Sequence, residues 1–203
     1  RSAFQETANE AELDLIRISP YQDVEIDLEK VFVQLLTDTK YGRETQNKPA
    51  DLKTFGQMVA TVFRVLSREK LEAYQYTLAT LEELQNRGAR LFILSNAQRI
   101  FTQAEIELTG CATFMEKIYI SSDYRIKKPE PEFLLGLMGE NQLNPAETVF
   151  VGNDLTSDIA IAQAVGIDGV LLNTFPYSPD EIFAYQEKGW DFTIINDIIE
   201  LIR

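Results

Sequence analysis

The segment that most constrains the fold covers residues 149–166, which form an apolar run, a short polar loop and an amphipathic helical pattern. The loop begins at Gly152 and carries Asn153, Asp154 and Asp158. In a parallel α/β unit, ligands bind at the C-terminal end of the strand, where helix N-termini also point. A glycine followed by carboxylates and amides at such a point can hold a divalent cation beside a phosphate. We therefore treat this loop as the first candidate for a functional site.

The remainder of the chain divides into two parts with different patterns. Apolar runs predict five short strands separated by helical segments, at residues 90–94, 118–120, 149–151, 169–172 and 192–195. This alternation predicts a parallel sheet with helices on both faces. The N-terminal part carries only helical patterns, at residues 2–16, 27–36 and 51–66. We therefore expect a small all-helical domain over residues 1–75 and an α/β domain over residues 76–203.

Composition excludes several classes of chemistry and partner. The chain of 203 residues has no histidine, a single cysteine (Cys111) and a formal net charge of −13. Without histidine there is no Ser-His-Asp triad and no His-ligated zinc, so catalysis depends on carboxylates, lysine, hydroxyls and hard cations. The strong negative charge argues against nucleic acid or an anionic membrane as partner. The single cysteine rules out an internal disulfide framework and favours a cytoplasmic location.

Ser95 and Asn96 follow directly after the first predicted strand. A hydroxyl and backbone amides at a strand end can bind the oxygens of an anion. Serine and asparagine are also common in ordinary strand-to-helix turns, and this alternative stays open for the pair taken alone.

Lys127 and Lys128 precede Pro129 and Pro131 at the same predicted edge of the sheet. Pro129 restricts the backbone of Lys128, and Pro131 suits the first position of a helix. A lysine fixed there could neutralise a phosphoryl group. The alternative is a solvated lysine pair ahead of a helix.

The acidic loop also has a purely structural alternative. Thr156 or Ser157 could cap the following helix, and Asp158 would then be favoured by the helix dipole. Each of the three polar signals is moderate alone, and their order and strand-end placement together are more specific.

At these residues the chain resembles the haloacid dehalogenase superfamily of phosphohydrolases. Residues 93–96 resemble its second motif, residues 128–133 its third, a Lys followed by Pro, and residues 151–158 its fourth, the acidic metal loop. The helical N-terminal part resembles the small helical cap of that family. The resemblance implies a Rossmann-like core whose active site the cap closes and whose specificity the cap sets.

The chain departs from the family pattern in two places. The first family motif, Asp-x-Asp-x-Thr at the end of a central strand, supplies the nucleophile and the acid/base, and no Asp-x-Asp occurs in this chain. The strands beside it would then be left with unpaired polar groups, each costing about 1–3 kcal/mol. We therefore expect a chain that lacks its opening strand and is inactive as written. The second departure is Asn153, where the family usually has Asp.

The resemblance implies a phosphatase acting on a small phosphorylated metabolite through an aspartyl-phosphate. Ser95 and the amide of Asn96 would bind phosphoryl oxygens, and Lys128 would offset their charge. Mg²⁺ would be held partly by Asn153, Asp154 and Asp158. Because Asn153 brings no charge, we expect weaker metal binding than with Asp, with Asp154 as a possible substitute ligand.

Two alternatives stay open at this point. Some metal-independent dehalogenases on the same scaffold carry Asn in the fourth motif, which gives that interpretation weight. A catalytically inactive binding or regulatory protein would be favoured if the first motif were truly missing from the whole protein.

Overall fold

A computed structural model describes residues 49–174 and 177–203, together with residues 28, 30, 31, 33 and 34. The helix expected over residues 2–16 lies outside the described residues. The five isolated positions between 28 and 34 have helical backbone, as expected for residues 27–36. Within the described part of the chain, no helix is long and apolar enough to cross a membrane.

Five short parallel strands form the centre of the fold: β1 (Phe92–Ser95), β2 (Lys117–Ile120), β3 (Val149–Gly152), β4 (Asp168–Leu172) and β5 (Thr193–Ile195). They form two parallel sheets, one with the order β1-β2 and one with the order β3-β4-β5. Ser95 lies opposite Ile120 and Gly152 lies opposite Leu171, so the C-terminal ends of neighbouring strands are level. Among the described strands, none pairs with both β1 and β3.

Helices connect and cover these strands. They are α1 (Pro49–Ser67), α2 (Thr77–Asn86), α3 (Arg99–Leu108), α4 (Ser121–Tyr124), α5 (Pro131–Asn141), α6 (Ala160–Val165) and α7 (Pro179–Gln186). Short turns of 3₁₀-helix lie at Cys111–Phe114, Pro145–Glu147 and Ile198–Ile202, and a π-helical turn at Leu155–Ile159 leads into α6. As expected, Pro131 is the first residue of α5. Gly88 follows the end of α2 with a φ of 87°, a conformation that glycine adopts without the steric cost of a side chain.

Two clusters of buried side chains make up the core. The first joins both sheets, because Leu94 of β1 and Tyr119 of β2 belong to the same cluster as the buried residues of α5 and α6, and Phe150 of β3 packs against it. The second lies beside β4, where Leu155, Ile159 and Leu171 are fully buried against α7 and Phe192. The two sheets thus share one packed layer, which fixes the positions of the loops that follow β1 and β3.

The α/β class predicted from the sequence is confirmed, with parallel strands and covering helices where the apolar runs predicted them. The strand boundaries shift by a residue or two, and Ser95 is the last residue of β1 and not the first residue after it.

The division into domains at residue 75 stays a prediction. Two ion pairs join the sides of that boundary, because Glu105 of α3 accepts from Arg64 at 2.7 Å and from Arg68 at 3.2 Å.

Candidate active site

A reciprocal pair of hydrogen bonds fixes the loop around Lys128 to the end of β1. The Asn96 side chain donates through Nδ2 to the Lys128 carbonyl at 2.9 Å and accepts from the Lys128 backbone N–H at 2.7 Å. The Lys128–Pro129 peptide bond is cis. The clamp fixes the orientation of the Asn96 side chain and leaves its amide one further N–H donor.

The Lys128 side chain turns inward and connects the two sheets. Its Nζ donates to the Leu94 carbonyl of β1 at 2.9 Å and to Asp158 Oδ1 at 2.6 Å. The Lys128 side chain is only 10% exposed, and that of Asp158 only 7%. The ring of Phe150 lies 5.5 Å from the ammonium, a cation–π distance. An ammonium has three N–H donors, so one donor remains after these two bonds.

Asp158 organises the loop after β3 with its second oxygen. Its Oδ2 accepts from the backbone N–H groups of Asn153 at 2.9 Å and Asp154 at 3.1 Å. This approach depends on Gly152, where an added Cβ would stand 2.3 Å from the Asp158 carboxyl carbon. Both carboxylate oxygens of Asp158 are therefore engaged within the protein.

Asp154 caps the helical turn that follows β3. Its Oδ1 accepts from the backbone of Thr156 at 2.7 Å, from the Thr156 hydroxyl at 2.7 Å and from the backbone of Ser157 at 2.9 Å. The expectation that Thr156 or Ser157 caps the helix after β3 is wrong, because the capping residue is Asp154. Partial burial raises the pKa of Asp154, but the hydrogen bonds from Thr156 and Ser157 outweigh burial and leave it below its ordinary value.

Two carboxylate and amide oxygens of this loop have no hydrogen-bond donor among the described residues. They are Oδ2 of Asp154 and Oδ1 of Asn153, whose Nδ2 lies 3.4 Å from the Thr174 hydroxyl. Within the described ranges, no group of three or more Asp, Glu, Cys or His side chains could hold a metal ion. A cation at this loop would therefore need ligands from water or substrate in addition to these two oxygens.

The structure brings Lys128 and Asp158 into direct contact and places Asn96 and Asn153 beside them. The Ser95 hydroxyl, at the end of β1, makes no hydrogen bond within the described part of the chain. Lys127, in contrast, has no ion pair with any described residue. The roles assigned to Ser95, Asn96, Lys128, Asn153, Asp154 and Asp158 stay predictions.

The sequence does not predict a second cleft that lies beside this site. Its volume is about 180 Å³, and cationic side chains from three separate segments line it, namely Lys30, Arg99 and Arg125. The backbone N–H of Leu28 donates to the Gln98 side chain at 2.8 Å at the same place. Nothing in the local sequence predicts that these segments meet. The one local signal is Arg99, a cation at a helix N-terminus, where the helix dipole disfavours positive charge.

Comparison with known proteins places the chain among hydrolases of one family. A sequence model of the haloacid dehalogenase-like hydrolases matches residues 3–172. The chain is 27% identical to a glyceraldehyde 3-phosphate phosphatase of Methanothermobacter thermautotrophicus over 64% of this chain and 58% of that protein. It is 29% identical to a phosphoglycolate phosphatase of Salmonella typhi over 62% of this chain and 49% of that one. The chain thus spans about half the length of these two relatives.

A solved structure shares the fold over nearly the whole chain. It is a 2-haloacid dehalogenase from Pseudomonas syringae, with a TM-score of 0.70 and 19% sequence identity, covering 97% of this chain and 78% of the dehalogenase. At this level of identity the similarity concerns the fold alone.

Proposed function

The chain belongs to the haloacid dehalogenase-like hydrolase family, and we propose that it is the greater part of a phosphatase that acts on a small phosphorylated metabolite. The observation that carries the proposal is the buried ammonium of Lys128, fixed where β1 and β3 end. The two relatives described above are phosphatases of small sugar and acid phosphates. Hydrolase activity is the property common to the family, and the phosphatase assignment is our own inference.

Lys128 would serve as the fixed positive charge of the site. Phosphoryl transfer depends mainly on positioning and on electrostatic stabilisation of the phosphoryl oxygens. Two of the three N–H donors of Lys128 are held by Leu94 and Asp158, so the third can reach a phosphoryl oxygen or an attacking carboxylate. Such a preorganised donor does not have to reorient during the reaction.

Ser95 and the backbone N–H of Asn96 would bind the transferring phosphoryl group. The proposal is supported by the Ser95 hydroxyl, which has no hydrogen bond to any described residue at the end of β1. It is also supported by the clamp between Asn96 and the Lys128 backbone, since this clamp fixes the anion-binding loop relative to the ammonium. The three groups would then contact the same phosphate from neighbouring positions.

We propose Mg²⁺ as the cofactor, held by Asp154 Oδ2 and Asn153 Oδ1. Mg²⁺ commonly binds one or two protein carboxylates and completes its shell with water and substrate phosphate, which fits a loop with these two available oxygens. Asp158 would act differently from the sequence-based expectation, as the partner of Lys128 and the organiser of the loop. When bound, the metal would supply positive charge that offsets the phosphate oxygens.

The nucleophile of the proposed reaction is not supplied by these residues. Since the chain has no Asp-x-Asp-x-Thr motif, we propose that the attacking carboxylate lies on a segment outside it. That carboxylate would attack phosphorus and form an aspartyl-phosphate, with the alcohol of the substrate as leaving group. Water would then hydrolyse the acyl phosphate and release inorganic phosphate.

We also propose a cytoplasmic location for the protein, which is expected from its single cysteine.

The test compares two chains with para-nitrophenyl phosphate and a panel of small phosphate esters. The 203-residue chain should release no phosphate. A chain that carries an apolar strand ending in Asp-x-Asp-x-Thr ahead of residue 1, from its own coding sequence, should release phosphate with Mg²⁺ and not with EDTA. Turnover by the 203-residue chain would overturn the assignment of the nucleophile. If the extended chain hydrolyses none of the phosphate esters, the proposed phosphatase activity is wrong.

Asn153 supports a second candidate, a metal-independent dehalogenase. An amide replaces a carboxylate at that position, and both oxygens of Asp158 are already engaged. A halide displacement from a 2-halo carboxylic acid by an enzyme carboxylate needs no cation for the leaving group, because a halide leaves as a stable anion. Halide release that EDTA does not change, with no phosphate release, would favour this candidate. Mg²⁺-dependent phosphate release would exclude it.

A further inference from the structure

The cleft lined by Lys30, Arg99 and Arg125 has no role in the proposed chemistry. We propose that it binds a second ionised group of the substrate, a carboxylate or a second phosphate, while the group to be removed lies at Ser95 and Lys128. This inference rests on the proposed function and narrows its substrate class to small metabolites with two anionic groups. Three observations support it: the charge of the cleft, the hydrogen bonding and exposure of its two arginines, and the short distance between the cleft and the candidate site.

The charge of the cleft is opposite to that of the protein. Among the described lining residues, the two arginines Arg99 and Arg125 outnumber the one carboxylate, Asp123, in a chain whose net charge is −13. A concave site lined by one sign of charge focuses the field and raises the local concentration of oppositely charged ligands. On a protein this acidic, small anions would be repelled from most of the surface and attracted here.

Arg99 forms a fixed wall of the cleft. Its guanidinium donates to Asp123 through Nε at 2.8 Å and to the Ile118 carbonyl at 3.3 Å. Its backbone N–H donates to the Ser122 hydroxyl at 2.9 Å. Much of the charge of Arg99 is balanced by Asp123, so Arg99 itself adds little unpaired charge to the cleft.

Arg125 is the residue best placed to bind the anion. Its side chain is exposed and makes no hydrogen bond or ion pair with any residue in the described ranges. Its backbone has a φ of 59°, in the left-handed region, which is costly for every residue except glycine. Replacing Arg125 with glycine would therefore remove the side chain and relieve the backbone at the same time.

The position of the cleft limits the size of the substrate. Arg99 is three residues after Asn96, so their Cα atoms lie at most about 11 Å apart. Contacts between the two loops keep the cleft beside the site, since Ala97 donates to the Ser121 hydroxyl at 2.9 Å and accepts from the Ser122 backbone at 3.3 Å. A volume of about 180 Å³ is below the ~300–1,000 Å³ of pockets for drug-sized ligands. The cleft therefore suits one ionised group on a short carbon chain.

The experiment measures binding by isothermal titration calorimetry with the 203-residue chain, in buffer with Mg²⁺ and again with EDTA. The matched ligands are phosphoglycolate and ethyl phosphate, which differ by a carboxylate in place of a methyl group. A bisphosphate of propanediol and propyl phosphate form a second pair, which tells a carboxylate site from a phosphate site. The variants are Arg125→Gln and Arg125→Gly. The control is Arg87→Gln, which removes an exposed cation paired with Glu83 outside the cleft.

The wild type should bind the ligand with two anionic groups more tightly than its partner in at least one pair. Arg125→Gln should weaken that binding about tenfold, which corresponds to ~1.4 kcal/mol, and should change the binding of the single-anion partner less than twofold. Arg125→Gly should give the same loss without a lower melting temperature, because glycine relieves the strained backbone. Arg87→Gln should leave every ligand unchanged.

Equal affinity for both members of each pair, equal losses for both in the Arg125 variants, or no binding of any ligand would overturn the inference. Its failure is distinguishable from failure of the proposed function. Binding heat reports on the cleft without turnover, whereas phosphate release by the extended chain reports on the phosphatase. A preference for ligands with two anions in a protein that hydrolyses no phosphate ester would support the cleft and reject the phosphatase.

Discussion

The contact between Lys128 and Asp158 allows a quantitative test of how the site is held together. Their charged atoms are 2.6 Å apart, which corresponds to an attraction of about 6 kcal/mol at an effective dielectric of ~20. Taking both ions out of water costs several kcal/mol per ion, so the net stabilisation by the intact pair is small. Removing one partner leaves the other buried without its counter-charge, and this costs about 3–5 kcal/mol.

A double-mutant cycle at Lys128 and Asp158, measured as the free energy of unfolding, therefore tests this estimate. We expect Lys128→Met to lower the free energy of unfolding by about 3–5 kcal/mol, since it strands the Asp158 carboxylate. Asp158→Asn should cost less, because the amide oxygen can still accept from the backbone N–H groups of Asn153 and Asp154 and the Leu94 carbonyl still accepts from the lysine. The double variant should be less destabilised than the sum, with a coupling of about 2–3 kcal/mol.

The assay is urea unfolding followed by circular dichroism, with Lys127→Met as the matched control. Lys127 is the adjacent lysine and has no ion pair with any described residue, so its loss should change stability by less than about 0.5 kcal/mol. Additive effects of Lys128→Met and Asp158→Asn would refute the argument that the two charges stabilise each other. Equal effects of the two lysine variants would mean a diffuse basic patch and not a placed ammonium.

Three further predictions concern residues that position the loops carrying Lys128 and Asp158. Asn96→Ala should lower the free energy of unfolding by about 0.5–1.5 kcal/mol in urea unfolding, because it removes two solvent-exposed hydrogen bonds to the Lys128 backbone that water can replace. Gly152→Ala should destabilise the protein by about 1–3 kcal/mol or more, since its Cβ has no room beside the Asp158 carboxyl group; a melting temperature equal to wild type would contradict this. Asp154→Ala should cost about 0.5–2 kcal/mol through the lost cap, whereas Asp154→Asn keeps the cap and should mainly weaken Mg²⁺ activation of an extended, active chain.

Much of the site was predictable because parallel strands place their C-terminal ends along one edge of a sheet. Apolar runs predict β1 and β3, and the polar residues at or just beyond their ends, such as Ser95 and Asp158, are then expected near the same edge. Lys128 was identifiable from the proline that follows it and from the family resemblance. These inferences need only strand order and local spacing, which the sequence carries.

The remaining features depend on contacts that local patterns do not specify. Whether Asp154 turns toward a cation or back to its own helix depends on the orientation of one carboxylate, and both arrangements fit the same residues. The cleft depends on the approach of Arg99 and Arg125, which are distant in the chain and belong to different loops. Only the packed arrangement of those loops makes them neighbours.

The charges of the candidate site connect the proposed cofactor to the proposed substrate. Lys128 is matched by Asp158, and Asp154 adds a further carboxylate that hydrogen bonds keep ionised. The loop and the lysine thus carry a net charge of −1 before any substrate arrives. A phosphate group with two negative charges would be repelled by this set, and the attacking carboxylate of the proposed mechanism would add to the repulsion. A divalent cation at Asn153 and Asp154 would offset this negative charge, and the basic cleft beside it would attract the second anionic group of the proposed substrate. A phosphatase built on these residues therefore needs the metal more than a dehalogenase would, because the substrate of a dehalogenase brings a single carboxylate and releases its negative charge as halide.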